Sequence, residues 1–319
     1  MTERVAAIDC GTNSLRLLIT DASRDDLVRR TEIVRLGADV DRTGRLAPAS
    51  LERARRVLTE YARHIRAHAV GRVRMVATSA TRDAANRSEF IAMVQDVLGI
   101  APEVISGDEE AALSFTGALD GLPDLGPAAA TTRRADGRSE AKSVLVVDVG
   151  GGSTELVMGS ASGVRSCSMD IGSVRLTERH LRNDPPTVAE IEAVRREITA
   201  AIATVRNTVP IQQPETLIGV AGTVVTLAAV ALGLNELTAV HGRRIPAKQI
   251  SQTTDRLLGM TTRERASMPA IPRGRADVIA AGGLIVDELV NAAGVDELVS
   301  SLHDSLDGIA LGLLTGRRA

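Results

Sequence analysis

The sequence predicts an α/β protein of two domains, each built on a mixed and partly parallel sheet. Three observations carry this. The chain has 319 residues, enough for two separate cores. Val5-Ala-Ala-Ile-Asp-Cys-Gly-Thr-Asn-Ser-Leu-Arg-Leu-Leu-Ile19 matches Val144-Leu-Val-Val-Asp-Val-Gly-Gly-Gly-Ser-Thr-Glu-Leu-Val-Met158 at a fixed offset, Asp9 on Asp148 and Ser14 on Ser153. In each half, three strand patterns, the first two within the repeated segment, give way to alternating helix and strand patterns.

In order along the first half, apolar runs predict strands over 5–9 and 14–20 joined by a small-residue turn, then a third strand over 28–36. A helix over 50–68 follows from Leu51, Ala54, Leu58, Tyr61 and Ile65 on one face. Next come a strand over 72–77, a helix over 88–98, a strand over 103–106 and a helix over 107–118. Residues 122–142 are rich in Gly, Pro, Ala, Thr, Arg and Ser without periodicity and read as a flexible linker between domains at 1–121 and 143–319.

The second half repeats the order. Strands are expected over 143–149, 153–159 and 164–170, and a helix over 188–207 starts at a capping box of Thr187 and Glu190. Thr216 to Asn235 carries no charge, but its glycines split it into strand, turn and helix rather than a membrane span. Helices over 247–258 and 274–292, a strand over 295–300 and a helix over 302–315 complete the chain. The last helix is a candidate to pack back on the first domain.

Composition narrows the chemistry. Apolar residues make up 44%, as in a folded globular protein. With one Tyr, two Phe and no Trp, the chain lacks the aromatic platforms that stack nucleic-acid bases, and no nucleic-acid partner is expected. The net charge of −2 means that any anion site must be local. Two cysteines, Cys10 and Cys167, and no apolar leader fit a cytoplasmic protein without a membrane partner.

Each repeated hairpin ends its first strand in Asp and turns through Gly, Ser, Thr or Asn, a composition that leaves backbone N–H groups for phosphate oxygens. In the first turn Asn13, Ser14 and Arg16 converge as phosphate-binding candidates. In the second, Gly151, Gly152 and Ser153 form a cradle that Asp148 and Glu155 bracket, and hard carboxylates beside a phosphate cradle suit Mg²⁺. Ser79 and Arg82 lie after the strand over 72–77, where open α/β sheets bind ligands. Ser106 and Glu109 have the spacing of a capping box, which leaves Glu110 available as a general base on an attacking water. His64 and His68 read as a surface pair, and His303-Asp304 lacks the partner ligands of a metal-dependent phosphohydrolase.

Asp9-Cys-Gly-Thr-Asn-Ser-Leu-Arg16, Thr78-Ser-Ala-Thr-Arg82, Ser106-Gly-Asp-Glu-Glu-Ala111, Asp148-Val-Gly-Gly-Gly-Ser-Thr-Glu155 and Arg275-Ala-Asp-Val-Ile279, in this order, resemble the exopolyphosphatase and guanosine pentaphosphate phosphohydrolase family. The resemblance spans Val5 to Gly308 and is to the short, two-domain form without a C-terminal HD-type domain. It implies two ribonuclease-H-like domains of the actin and sugar-kinase type with a cleft between them. It further implies that Glu110 is the catalytic base, that Asp148 and Glu155 serve Mg²⁺ and catalysis, and that Arg82 and both turns hold phosphate. The expected activity is release of terminal orthophosphate from inorganic polyphosphate. Guanosine pentaphosphate, with a place in the stringent response, is the alternative substrate. An ATP-dependent kinase of the same fold, a catalytically weak binder and a homodimeric assembly remain open.

Overall fold

The computed structural model describes residues 3–125, 131–133, 139–141, 143–160 and 163–316. The first half contains β1 (Val5–Cys10), β2 (Ser14–Thr20), β3 (Val28–Ile33), α1 (Val40–Thr43), α2 (Pro48–Ala67), β4 (Arg72–Ala77), α3 (Ser79–Asp83), α4 (Arg87–Leu98), β5 (Glu103–Val104) and α5 (Gly107–Gly121). A short pair, β6 (Thr131–Arg133) and β7 (Ser139–Ala141), lies within the predicted linker, whose residues 126–130, 134–138 and 142 are outside the described residues. The second half contains β8 (Val144–Val149), β9 (Thr154–Ser160), β10 (Gly163–Met169), α6 (Ser173–His180), α7 (Val188–Val205), β11 (Thr216–Val220), α8 (Ala221–Ala231), β12 (Arg244–Pro246), α9 (Ala247–Leu258), α10 (Thr262–Ala266), α11 (Ile279–Ala293), β13 (Glu297–Ser300) and α12 (Ser305–Thr315).

The chain forms two compact units. One is Met1–Gly117 with Ser305–Ala319, and the other is Ala118–Asp304. The sheet of the first runs β3-β2-β1-β4-β5 and that of the second β10-β9-β8-β11-β13-β12. In each, the first three strands are antiparallel neighbours and the next is parallel to the first. This is the mixed, partly parallel order that the repeat predicts, and it fits the ribonuclease-H-like sheet that the family resemblance implies. β12 adds an antiparallel edge strand to the second sheet only.

Strand alternation gives the first sheet two buried faces. Ala6, Ile8 and Cys10 of β1 point into a core that Ala54, Leu58 and Tyr61 of α2 and Phe90 of α4 fill from the other side. The Tyr61 hydroxyl donates to the Leu15 carbonyl at 2.8 Å, so the large ring carries its polar tip into the core satisfied. Ala7, Leu18 and Val76 face the other way and bury against Leu113 of α5 and Leu306, Ile309 and Ala310 of α12. The last helix is therefore part of the first unit. Truncating a core side chain such as Leu58 to Ala would cost about 2–5 kcal/mol.

The second unit buries one large cluster in which α7, α8, α9 and α11 supply most of the helical side chains. Close approach is set by glycine: a Cβ on Gly282 of α11 would stand 2.4 Å from the Thr223 methyl of α8. The Thr187–Glu190 capping box at the start of α7 forms in both directions. The uncharged stretch at 216–235 folds as β11 running into α8, and among the described residues no helix is long and apolar enough to cross a membrane.

Several boundaries differ for local reasons. β3 ends at Ile33, because the Val34 and Arg35 N–H groups both donate to the Asn13 carbonyl and Arg35 takes φ +49°. The helix expected from 274 begins at Ile279, after a 3₁₀ turn at Arg273–Arg275. Helix α12 begins at Ser305, since the Ser301 hydroxyl accepts from the His303 N–H at 3.0 Å and holds 301–303 as a turn. Helices α1, α3, α6 and α10 are eight residues or fewer, too short to show an apolar period.

Candidate active site

In the first unit, the β1–β2 hairpin closes through Gly11 N–H to the Ser14 carbonyl at 3.0 Å. Asp9 and Arg16 are direct cross-strand partners, and their side chains form an ion pair that Ser305 joins from α12. Arg16 is thus anchored at the turn, on the same side of the strand as Ser14. The Thr12 hydroxyl is 2.8 Å from that of Ser79, and a Cβ on Gly37 would stand 2.3 Å from the Thr12 methyl. Ser79 is buried, and the contact its hydroxyl makes within the chain is this brace on the turn.

Arg82 and Glu110 come from different segments, α3 after β4 and α5 after β5, and meet at the carboxyl ends of neighbouring parallel strands. Arg82 Nη1 donates to Glu110 Oε2 at 2.8 Å and to the Ile105 carbonyl at 2.9 Å. Its Nε and Nη2 make no hydrogen bond among the described residues, and that edge of a guanidinium is shaped to hold two phosphate oxygens. Glu110 therefore has a partner that sequence spacing does not reveal.

Glu109 is bonded differently from the expected capping box. Its N–H donates to the Ser106 hydroxyl at 3.1 Å, while its carboxylate accepts from Arg74 of β4 at 2.7 Å. The ion pair prevails because Arg74 is almost buried, is held by Glu103 as well, and needs its charge compensated. Cys10, on the opposite face of β1 from Asp9, is buried; burial, and secondarily the Asp9 charge, pushes its thiol well up and makes it inert.

In the second unit, the β8–β9 hairpin closes the same way, Gly150 N–H to the Ser153 carbonyl at 3.1 Å. Here the carbonyls of the turn are taken up by the start of α6. Ser173 N–H donates to Gly150, the N–H groups of Val174 and Arg175 donate to Gly151, and Arg175 Nε donates to Gly152 at 2.7 Å. The N–H groups of Gly151, Gly152 and Ser153 make no hydrogen bond among the described residues. The peptide units of the turn are thereby oriented with acceptors occupied and donors available, which is what an anion cradle requires. None of Gly150, Gly151 and Gly152 has a positive φ. The tightest approach is from within the chain: a Cβ on Gly172 would lie 2.4 Å from the Gly151 carbonyl oxygen.

Asp148 and Glu155 are direct cross-strand partners and both are buried, at 6% and 1% exposure. The Ser168 hydroxyl of β10 donates to Glu155 Oε1 at 2.8 Å. Two like charges set opposite each other in a strand pair are unfavourable by themselves and suit a divalent cation. Among the described residues no group of three or more His, Cys, Asp and Glu side chains is placed to hold a metal. A two-carboxylate donor set fits Mg²⁺, which completes its octahedron with water and substrate oxygens rather than with a protein cage.

Other candidates resolve as packing. The His68 ring bonds the His64 carbonyl at 2.9 Å, one helical turn back. His303 lies over Gly121 and stacks on His241 with ring centres 5.1 Å apart. Sequence reasoning missed the α6 start beneath the Gly-rich turn and Ser305 at the first turn. Gly172, next to a Ser at a strand end, is the only local signal for the former.

A family model described as the Ppx/GppA phosphatase family matches residues 19–315. Exopolyphosphatase 2 of Mycobacterium tuberculosis is 47% identical, with 97% of this chain and 98% of that protein covered. The crystal structure of an exopolyphosphatase from Cytophaga hutchinsonii superposes with a TM-score of 0.87 at 25% identity, covering 99% of both chains. That of the Aquifex aeolicus Ppx/GppA family member superposes at 0.76 with 30% identity, covering both chains fully. The chain belongs to the Ppx/GppA phosphatase family, and its fold is the two-domain, actin-like fold of those structures.

Proposed function

We propose that this family member is an exopolyphosphatase, which removes the terminal orthophosphate from inorganic polyphosphate with the help of Mg²⁺. The observation that carries the reading is the Arg82–Glu110 pair. A carboxylate in the first turn of α5 is held by a guanidinium whose other edge can grip phosphate, so a water deprotonated by that carboxylate starts beside the phosphorus it attacks.

Glu110 takes a proton from water as the water oxygen bonds to the terminal phosphorus. The bridging P–O bond breaks and its electron pair leaves with the shortened chain, which carries the charge on its new terminal oxygen. Arg16, Arg82 and the Ser14 hydroxyl hold the negative charge on the phosphate oxygens. In the second unit Asp148 and Glu155 would hold Mg²⁺, which supplies charge neutralisation to bound phosphate, and the N–H groups of the Gly151–Ser153 turn are donors for phosphate oxygens there. The 47% identical M. tuberculosis relative named Exopolyphosphatase 2 supports polyphosphate over guanosine pentaphosphate. Two cysteines, neither in a disulfide, support a cytoplasmic setting.

The test is phosphate release by the purified protein from tripolyphosphate, long-chain polyphosphate, guanosine pentaphosphate and ATP, with and without Mg²⁺. Polyphosphate is expected to be the preferred substrate, and Glu110→Gln to lower kcat by about 10²–10⁴-fold while substrate binding persists. A clear preference for guanosine pentaphosphate would replace the substrate, and an unchanged rate in Glu110→Gln would remove the mechanism.

A further inference from the structure

Within the first unit, the Asp9–Arg16 pair is completed by a residue nearly three hundred positions away. Ser305 is 3% exposed, and its Oγ lies 2.9 Å from Arg16 Nη2 and 3.0 Å from Asp9 Oδ2. The hydroxyl accepts from the guanidinium and gives its single proton to the carboxylate. The other Asp9 oxygen, Oδ1, is buried and has no hydrogen-bond partner among the described residues.

The same helical turn is fixed on two further sides. Asp307 pairs with Arg29 of β3. Gly308, three residues after Ser305 and so on the same side of α12, rides directly on α5, where an added Cβ would stand 2.2 Å from the Leu113 carbonyl oxygen. Leu113 is three residues after Glu110. One turn of α12 therefore touches both the phosphate-side arginine and the backbone of the helix that bears the general base.

We propose that Ser305 is a positioning residue, which orients Arg16 for substrate phosphate and keeps it in register with Glu110 through α12. The inference rests on the reading above, in which Arg16 grips phosphate. Its physical basis is preorganisation: an arginine already held by Asp9 and Ser305 loses less rotamer freedom when it binds an anion. Without the Ser305 proton, Asp9 would have Arg16 as its remaining compensation. A two-pronged Asp9–Arg16 pair would then draw the guanidinium away from the phosphate.

The experiment is steady-state kinetics on tripolyphosphate with the full chain, alongside thermal melts to establish folding. Ser305→Ala is expected to raise KM about tenfold, the scale of one hydrogen bond to a charged group, with kcat much less affected. Ser305→Thr should restore KM. In an Arg16→Ala background, Ser305→Ala should add nothing. Should Ser305→Ala fail to fold, Ser305→Cys, which keeps the volume but is a weak donor, is read the same way. An unchanged KM in the folded variant, or an equal rise in the Arg16→Ala background, overturns the assignment while leaving Arg16 its role. If Arg16→Ala itself leaves KM unmoved, the phosphate grip and the Ser305 assignment fall together.

Discussion

The two hairpins share a backbone and differ in charge. Both close through the same Gly N–H to Ser carbonyl bond, and both set the Asp near the end of the first strand opposite an early residue of the next in cross-strand register. In the first that pair is Asp9 and Arg16, and in the second it is Asp148 and Glu155. A single position of the repeat thus converts a self-compensated pair that presents a guanidinium into an acid pair that calls for a cation. The turns diverge in the same sense. Thr12 and Asn13 tie the first turn to its own unit through a hydroxyl and a carbonyl, whereas Gly151 and Gly152 have no side chains and present backbone donors.

The largest effect expected from breaking this contrast is at Glu155. Glu155→Gln should lower kcat/KM by about 10²–10⁴-fold, the loss of several kcal/mol of cation-assisted stabilisation. The metal-free variant should nevertheless melt above the metal-free wild type, because one of two opposed like charges is gone, a gain of roughly 0.5–1 kcal/mol. Mg²⁺ should raise the melting temperature of the wild type and not of the variant. Equal Mg²⁺ shifts in both would place the cation elsewhere.

A second comparison concerns what braces each turn. Gly172→Ala drives a Cβ into the Gly151 backbone and should cost about 2–3 kcal/mol, since a main-chain carbonyl held by α6 has nowhere to go. Gly37→Ala meets the Thr12 methyl, a side-chain atom that can shift at the expense of the Thr12–Ser79 bond, and should cost about 1 kcal/mol. Denaturant titration ranks the two, and the reverse order would mean that the first turn is the stiffer.

The smallest effect separates the equivalent helices. Helix α2 has Ala47 at its N-cap, which offers no side-chain cap, and relies on Pro48 at its first position, whereas α7 has the full Thr187–Glu190 box. Hydrogen bonds from backbone N–H groups, that of Thr187 foremost, hold the Glu190 carboxyl down at about 2. Since the folded value lies below the ordinary 4.5, the stabilisation is present above that value and is lost as pH falls through about 2. Glu190→Gln should therefore melt slightly below wild type at pH 7, and the gap should close between these limits. A gap that persists at the acid end would assign the effect to packing.

Much of the fold was legible because its signals are local. The two hairpin turns, the α7 cap and the division of 216–235 into β11 and α8 each depend on residues a few positions apart, and the repeat sets one such local pattern beside another. The contacts of the candidate site were less so. Glu109 has the spacing of a capping residue, but its carboxylate goes to Arg74, which lies on β4 in a strand pairing that no local pattern encodes. Glu110 could be singled out as an acid without a capping role, yet its partner Arg82 could not be identified from spacing. The Gly-rich turn was visible as a cradle, while the helix start that occupies its carbonyls follows an intervening strand.

By itself the amino-acid sequence determined which residue types stand at the two turns and at the strand ends, since hydrophobic period, glycine placement and caps act within one element. Tertiary structure alone decided which charges meet. Arg16 with Ser305, Arg82 with Glu110, and Glu109 with Arg74 join separate segments of the chain, and a buried charge takes whatever partner folding brings within hydrogen-bond reach.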